Sequence, residues 1–164
     1  MGEVDGLLID NTYSRLMDHV TSINVACGGH AGDMNMMRKI IQIAKTKNVK
    51  IGAHPSYPDR KNFGRYDLKI DPKELSESIA SQINDLIKVA EIERITIDHV
   101  KPHGALYNSA AKNKDLAKII CIVVKTINPK IPIMCLAGSP MVSVIRNMGL
   151  NPIGEAFALS LIHI

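Results

Sequence analysis

Asn24-Val-Ala-Cys-Gly-Gly-His-Ala-Gly-Asp33 joins an apolar run to a helical pattern through three glycines, and carries a thiol, an imidazole and a carboxylate. The run at 22–27 reads as a strand. The pattern at 34–48 reads as a helix, with Met37, Ile40, Ile41 and Ala44 on one face and Asp33 placed to cap it. In α/β proteins such strand-to-helix turns are where ligands meet reactive side chains. Further on, 49–53 reads as a second strand ending in Gly52-Ala-His-Pro-Ser-Tyr57, and 95–100 as a third ending in His99-Val-Lys-Pro-His-Gly-Ala-Leu-Tyr-Asn108. Three strand ends of this kind in one chain point to an enzyme.

Between the second and third strands, Asp71-Pro-Lys-Glu74 offers an N-cap, a proline at the first helical position and a glutamate at the third. The helix it opens turns Leu75, Ile79, Ile83, Leu86, Ile87 and Ala90 inward. A helix at 115–127, a strand at 131–137, a short helix opened by Ser139-Pro140 and closed by Gly149, and a fifth strand beginning in 151–157 complete the pattern. Strand–helix alternation predicts a parallel sheet with right-handed crossovers, as a barrel or a doubly wound sheet. A closed (β/α) barrel takes about 250 residues, so five strands predict an incomplete one, with apolar edges left open.

The 164 residues suffice for one domain, and 46% hydrophobic with 22% charged residues fits an ordinary globular protein. The net charge of +4 comes from lysines scattered along helices. With four Tyr, two Phe and no Trp there is no base-stacking platform, so nucleic-acid and membrane-surface binding are not expected. No apolar run approaches membrane-spanning length, and three irregularly spaced cysteines do not form a disulfide framework; both predict a cytoplasmic protein. Leu159-Ser-Leu-Ile-His-Ile164 can be encoded by the end sequence of a widely used transposon sequencing adapter. The expectation is a single partial barrel over 1–158 and a non-native tail at 159–164.

The candidate chemistry lies at the strand ends. His30, among small residues, stands free to contact a ligand, whereas Asp33 is an N-cap or a functional carboxylate. Cys27 closes an apolar strand and reads as structural. His54 is followed by a loop stiffened by Pro55 and Pro58, which holds Tyr57. Arg65 offers a fork for carboxylate or phosphate. Lys101 and His103, two apart, are expected to face one side of an extended segment, where an ammonium can offset negative charge while the imidazole moves a proton. Tyr107 and Asn108 add polar groups in the following turn, and Glu155 ends the fifth strand facing the same mouth.

The strings 24–33, 52–59, Phe63-Gly-Arg65, Val100-Lys-Pro-His-Gly-Ala-Leu-Tyr-Asn108 and Glu155-Ala-Phe-Ala158, in register along the chain, resemble the LamB/YcsF family of 5-oxoprolinase A subunits. The resemblance implies an irregular (β/α) barrel of the glycoside hydrolase/deacetylase type and ATP-dependent opening of 5-oxo-L-proline to L-glutamate. It further implies ATP as co-substrate with Mg2+, and partner subunits B and C. His30, His54, Lys101, His103, Asp33 and Glu155 would then be catalytic, and Asn24, Tyr57, Arg65, Tyr107 and Asn108 would bind substrate. The chain departs from the family at both ends. The family's opening Asn-x-Asp-x-Gly-Glu motif is represented only by Gly2-Glu3, and Leu159-Ser160 replaces an Asp-Arg pair. Other readings are a metal-dependent carbohydrate deacetylase with His30 and His54 as ligands, and a non-catalytic subunit that only positions partners.

Overall fold

The computed structural model describes residues 1–157. Five strands, β1 (Ser22–Ala26), β2 (Lys50–His54), β3 (His99–Val100), β4 (Ile133–Leu136) and β5 (Pro152–Glu155), form one sheet in the order β1-β2-β3-β4-β5. Every neighbouring pair is parallel. A sequential order has no point at which the winding reverses, unlike a doubly wound sheet, and is the order of a barrel wall. Residues 158–164, including the expected tail, lie outside the described residues.

Helices α1 (Asp5–Ile9) and α2 (Thr12–Leu16) precede β1. They are followed by α3 (Met34–Thr46), α4 (Pro72–Ile92), α5 (Gly104–Lys112), α6 (Lys114–Ile127) and α7 (Pro140–Asn147) between the strands. The long helices form where apolar spacing and capping agree. Asp33 accepts from Met36 N at 2.8 Å and starts α3, which buries Met36, Met37, Ile40, Ile41 and Ala44. Asp71 accepts from Lys73 N and Glu74 N ahead of Pro72, and α4 buries Leu75, Ile79, Ile83, Leu86 and Ala90. These faces close over Val25, Ile51, Ala53, Val100 and Ile133 of the sheet in one continuous core.

Two expectations need correction. The third strand is confined to His99–Val100, because Arg94 turns the chain through a left-handed backbone (φ 57°) and the segment joins β2 only where Asp98 N reaches Ile51 O. The expected turn at 104–108 is the first half of α5, which buries Ala105, Leu106 and Tyr107. Gly104 permits that helix: its φ is +55°, and a Cβ there would lie 2.4 Å from the Gly64 carbonyl oxygen.

The parallel register decides what meets at the C-terminal rim. Ala26 lies opposite His54, and Ala53 opposite Val100, so the chain following β1, β2 and β3 leaves the sheet at one level. The first residues run beside β1, with the Met1 carbonyl accepting from Ala26 N, and so bring Glu3 to the same rim.

Candidate functional site

Four side chains from four segments converge there: Glu3, His30, His54 and His103. The His30 and His103 rings stack at 3.7 Å and 5° apart, and His54 meets His103 edge-on at 4.8 Å. Phe63 packs edge-on against both stacked rings. His30 Nε2 lies 3.1 Å from Glu3 Oε1. That hydrogen bond, outweighing partial burial, holds the Glu3 carboxyl down at about 2. The ionised carboxylate can only accept, so His30 donates from Nε2. Its Nδ1 is buried with no hydrogen-bond partner among the described residues. The His30 side chain has no exposed surface. It therefore backs His103 and holds Glu3, rather than standing free to touch a ligand.

His54 and His103 are more open, and each has one nitrogen on a backbone carbonyl. His54 Nδ1 lies 2.7 Å from Lys101 O, and His103 Nε2 3.0 Å from Phe63 O. Their remaining nitrogens, His54 Nε2 and His103 Nδ1, are 3.1 Å apart. Burial holds the His54 imidazole well below its ordinary value of 6.5 and lowers that of His103, where His30 adds to the effect. One ligand atom from each of Glu3, His54 and His103 fits within a span of 4.8 Å.

A second cluster adjoins the first. Lys101 Nζ is 2.7 Å from Glu155 Oε2, with its ammonium 5.5 Å from the Tyr107 ring centroid and 5.0 Å from that of Phe157. The Tyr107 hydroxyl and Glu155 Oε1 are buried without a partner among the described residues. Burial, reinforced by the nearby Glu155 carboxylate, pushes the Tyr107 phenol far up. Lys101 and His103 were expected on one side of an extended segment, but β3 ends at Val100 and the alternation stops with it. Lys101 reaches to Glu155 and His103 to His54; the Lys101 carbonyl on His54 links the two clusters.

Asn24, expected to bind substrate, instead accepts through Oδ1 from His99 Nε2 at 2.8 Å within the sheet. Tyr57 is buried, which raises its phenol. Arg65 is exposed, with its guanidinium 5.4 Å from the Phe63 centroid, and Asn108 is exposed on α5. Asp33 is exposed and occupied as the cap of α3. Cys27 is fully buried; its Sγ donates to Val25 O, and desolvation pushes the thiol up to about 12, which fits a structural residue.

Glu3, Phe63, Gln82 and Arg60 were not among the expected site residues. Gln82 of α4 exchanges two 2.9 Å hydrogen bonds with the Ser56 backbone, fixing the loop just beyond His54. Arg60 donates to Gly28 O and Gly32 O across the loop that carries His30. Glu3 and Phe63 each had a signal in the sequence, as the last residue of the opening motif and the first of the Phe63-Gly-Arg65 string; Gln82 and Arg60 had none. A cleft of about 430 Å³ opens on the rim side, lined by Gly28, Gly29, Arg60 and Gln82 rather than by the histidines. Clefts of about 330 and 670 Å³ open at the opposite ends of the strands, around Ile95 and Ile131 and around Thr21 and Lys50.

Fold and site define a parallel α/β protein with an imidazole–carboxylate centre at the C-terminal rim of its strands, the position where such folds carry their chemistry. The LamB/YcsF family model matches residues 1–160, and the chain belongs to that family. It is 45% identical to the 5-oxoprolinase A subunit of Histophilus somni (strain 129Pt), over 88% of this chain and 58% of the relative. It is 43% identical to the 5-oxoprolinase A subunit of Pyrococcus furiosus, over 96% and 62%. The crystal structure of the lactam utilization protein from Thermus thermophilus superposes with a TM-score of 0.85 at 35% identity, over 88% of this chain and 59% of that one. The chain thus spans about three fifths of the length of the curated relatives it matches. Among the described residues no helix is long and apolar enough to cross a membrane.

Proposed function

We propose that this chain forms the rim-bearing part of a 5-oxoprolinase A subunit, which opens 5-oxo-L-proline to L-glutamate with hydrolysis of ATP. The observation that carries this reading is the convergence of Glu3, His54 and His103 on one point, in a chain whose relatives bear that name.

The five-membered lactam is a stabilised amide whose open product readily recloses, so its opening needs coupling. Attack of the amide oxygen on the γ-phosphorus of ATP, supplied with Mg2+, releases ADP and leaves a phosphorylated imidate. Water then adds to the ring carbon as its proton passes to a base. The C–N bond breaks with a proton delivered to nitrogen, and a second water hydrolyses the resulting acyl phosphate. The base is the Glu3–His54–His103 cluster, whose imidazoles burial keeps neutral and able to accept a proton at neutral pH. Lys101, held by Glu155, faces the negative charge of the phosphate or the substrate carboxylate, and the buried Tyr107 hydroxyl lies on the same side. Glu155 holds the ammonium and accepts from the ring N–H. Subunits B and C complete the assembly. Three buried, unbridged thiols fit a cytoplasmic location.

The test is the complete protein assembled with subunits B and C, assayed for glutamate formed from 5-oxo-L-proline with and without ATP. His103→Asn should lower turnover at least a hundredfold while leaving the assembly intact. Undiminished turnover would remove the cluster from the chemistry.

A further inference from the structure

The contact between His54 and His103 is not an ordinary hydrogen bond. The Lys101 carbonyl can only accept, so the hydrogen of a neutral His54 sits on Nδ1 and Nε2 is bare. The Phe63 carbonyl likewise takes the hydrogen of His103 onto Nε2 and leaves Nδ1 bare. These two bare nitrogens face each other at 3.1 Å. With both rings neutral, two lone pairs meet there with no hydrogen between them, and the pair needs a cation.

We propose that Glu3, His54 and His103 form a binding site for a first-row divalent transition-metal cation of the Zn2+ class. Metal–nitrogen bonds of about 2.0–2.1 Å at adjacent coordination positions put two ligand nitrogens about 2.9–3.4 Å apart. The observed separation falls inside that range. Glu3 supplies a carboxylate within reach of both rings, and the second oxygen of that group remains after Oε1 takes the His30 N–H. Two imidazoles and one carboxylate are a donor set for borderline metals, since Mg2+ and Ca2+ prefer oxygen alone.

The surroundings are those of a ligand set. Each ring has its far nitrogen on a backbone carbonyl, the arrangement that fixes tautomer and orientation in metal-binding histidines. Phe63 aims its carbonyl at His103 from a left-handed backbone (φ 56°), an uncommon conformation for an aromatic residue. The ligand pair is thus His54 with His103; His30, expected as a ligand beside His54, lies behind them against Glu3. Three protein ligands leave positions open for water or a carbonyl oxygen. With the cation bound, those two nitrogens would no longer take up a proton, and a water held by the cation would stand in for the imidazoles in the lactam-opening reading; the site itself does not depend on that reaction.

The experiment is metal binding by the purified chain, stripped with chelator and dialysed against Zn2+ or Co2+. Bound metal is counted by plasma mass spectrometry, and Co2+ is followed by its visible absorption. The expected result is one equivalent retained, at least tenfold weaker binding in Glu3→Gln, loss in His103→Asn, and full retention in His19→Asn at an exposed histidine. Circular dichroism checks that the variants fold. In the unsubstituted chain, nitrogen NMR should show His54 Nε2 and His103 Nδ1 without hydrogen, both shifting when Zn2+ is added. No retained metal, equal retention in Glu3→Gln and His103→Asn, or a shared proton that Zn2+ does not displace would each overturn the proposal. Because these readouts are bound metal and ring protonation, they are separate from whether the assembled protein forms glutamate.

Discussion

Gly52 and His99 are register partners across β2 and β3, and a Cβ on Gly52 would lie 2.1 Å from His99 Nε2. The missing side chain lets the imidazole cross β2 and donate to Asn24 on β1. One hydrogen bond thereby ties three strands together beneath the rim. Gly52→Ala should displace His99, leave Asn24 Oδ1 without its donor, and cost about 1–3 kcal/mol. Urea denaturation checks this; an unchanged midpoint would mean that His99 has another place to go.

Lys101 and Glu155 form an ion pair at the rim, with side chains 14% and 18% exposed. Lys101→Met leaves a half-buried carboxylate with no cation. It should destabilise by about 2–3 kcal/mol, less than a fully buried pair because water still reaches both groups. Glu155→Gln, which removes the charge but keeps the shape, should cost less than Lys101→Ala. Comparing the denaturation midpoints of the three variants decides it.

The rim also makes stability depend on pH in two windows. His54 and His103 have folded pKa values below their ordinary 6.5, so the unfolded chain takes up protons first as pH falls. Their contribution is present above 6.5 and begins to be lost below it. Glu3 is depressed from 4.5 to about 2, so its contribution is present above 4.5 and is lost as pH falls toward 2. That second loss should not exceed about 3 kcal/mol. Glu3→Gln should abolish the lower window and leave the upper one; a persistent lower window would assign it to other carboxylates.

Asp33 can be separated into cap and catalyst. Asp33→Ala should cost about 1 kcal/mol by freeing Met36 N, whereas Asp33→Asn keeps an accepting oxygen and most of that stability. Thermal melts measure the difference. If Asp33→Asn also keeps glutamate formation in the assembled protein, capping is its whole role; a loss at unchanged stability would restore a chemical one.

The parts of the fold that could be read from residues alone are those in which two signals coincide. Asp71-Pro72 marks the start of α4, and the apolar spacing from Leu75 to Ala90 confirms it. Helices α1 and α2 offered neither signal. They are five residues each, too short for a period, and are anchored instead by the Tyr13 hydroxyl accepting from Glu3 N and Val4 N. Helix α5 was hidden by its opening glycine, whose need arises from the distant Gly64 carbonyl.

At the site, His30, His54 and His103 stood out by type and by their place at strand ends. The division of labour among them did not, because it depends on which carbonyl each ring meets. Phe63 O and Lys101 O belong to segments far from the rings they contact, and no residue type advertises a carbonyl. Glu3 was obscure for a different reason. Its motif is reduced to Gly2-Glu3, with no strand pattern around it to place the acid, and only the backbone running beside β1 carries it to the histidines.

The hydrogen positions on His54 and His103 are set by main-chain atoms, which no codon change can delete. Side chains at positions 63 and 101 could drift while the rings kept presenting the same bare nitrogens. To reprogram the centre without touching its histidines, a lineage would have to move a whole loop. The tautomers are therefore inherited with the fold rather than with any single neighbouring residue.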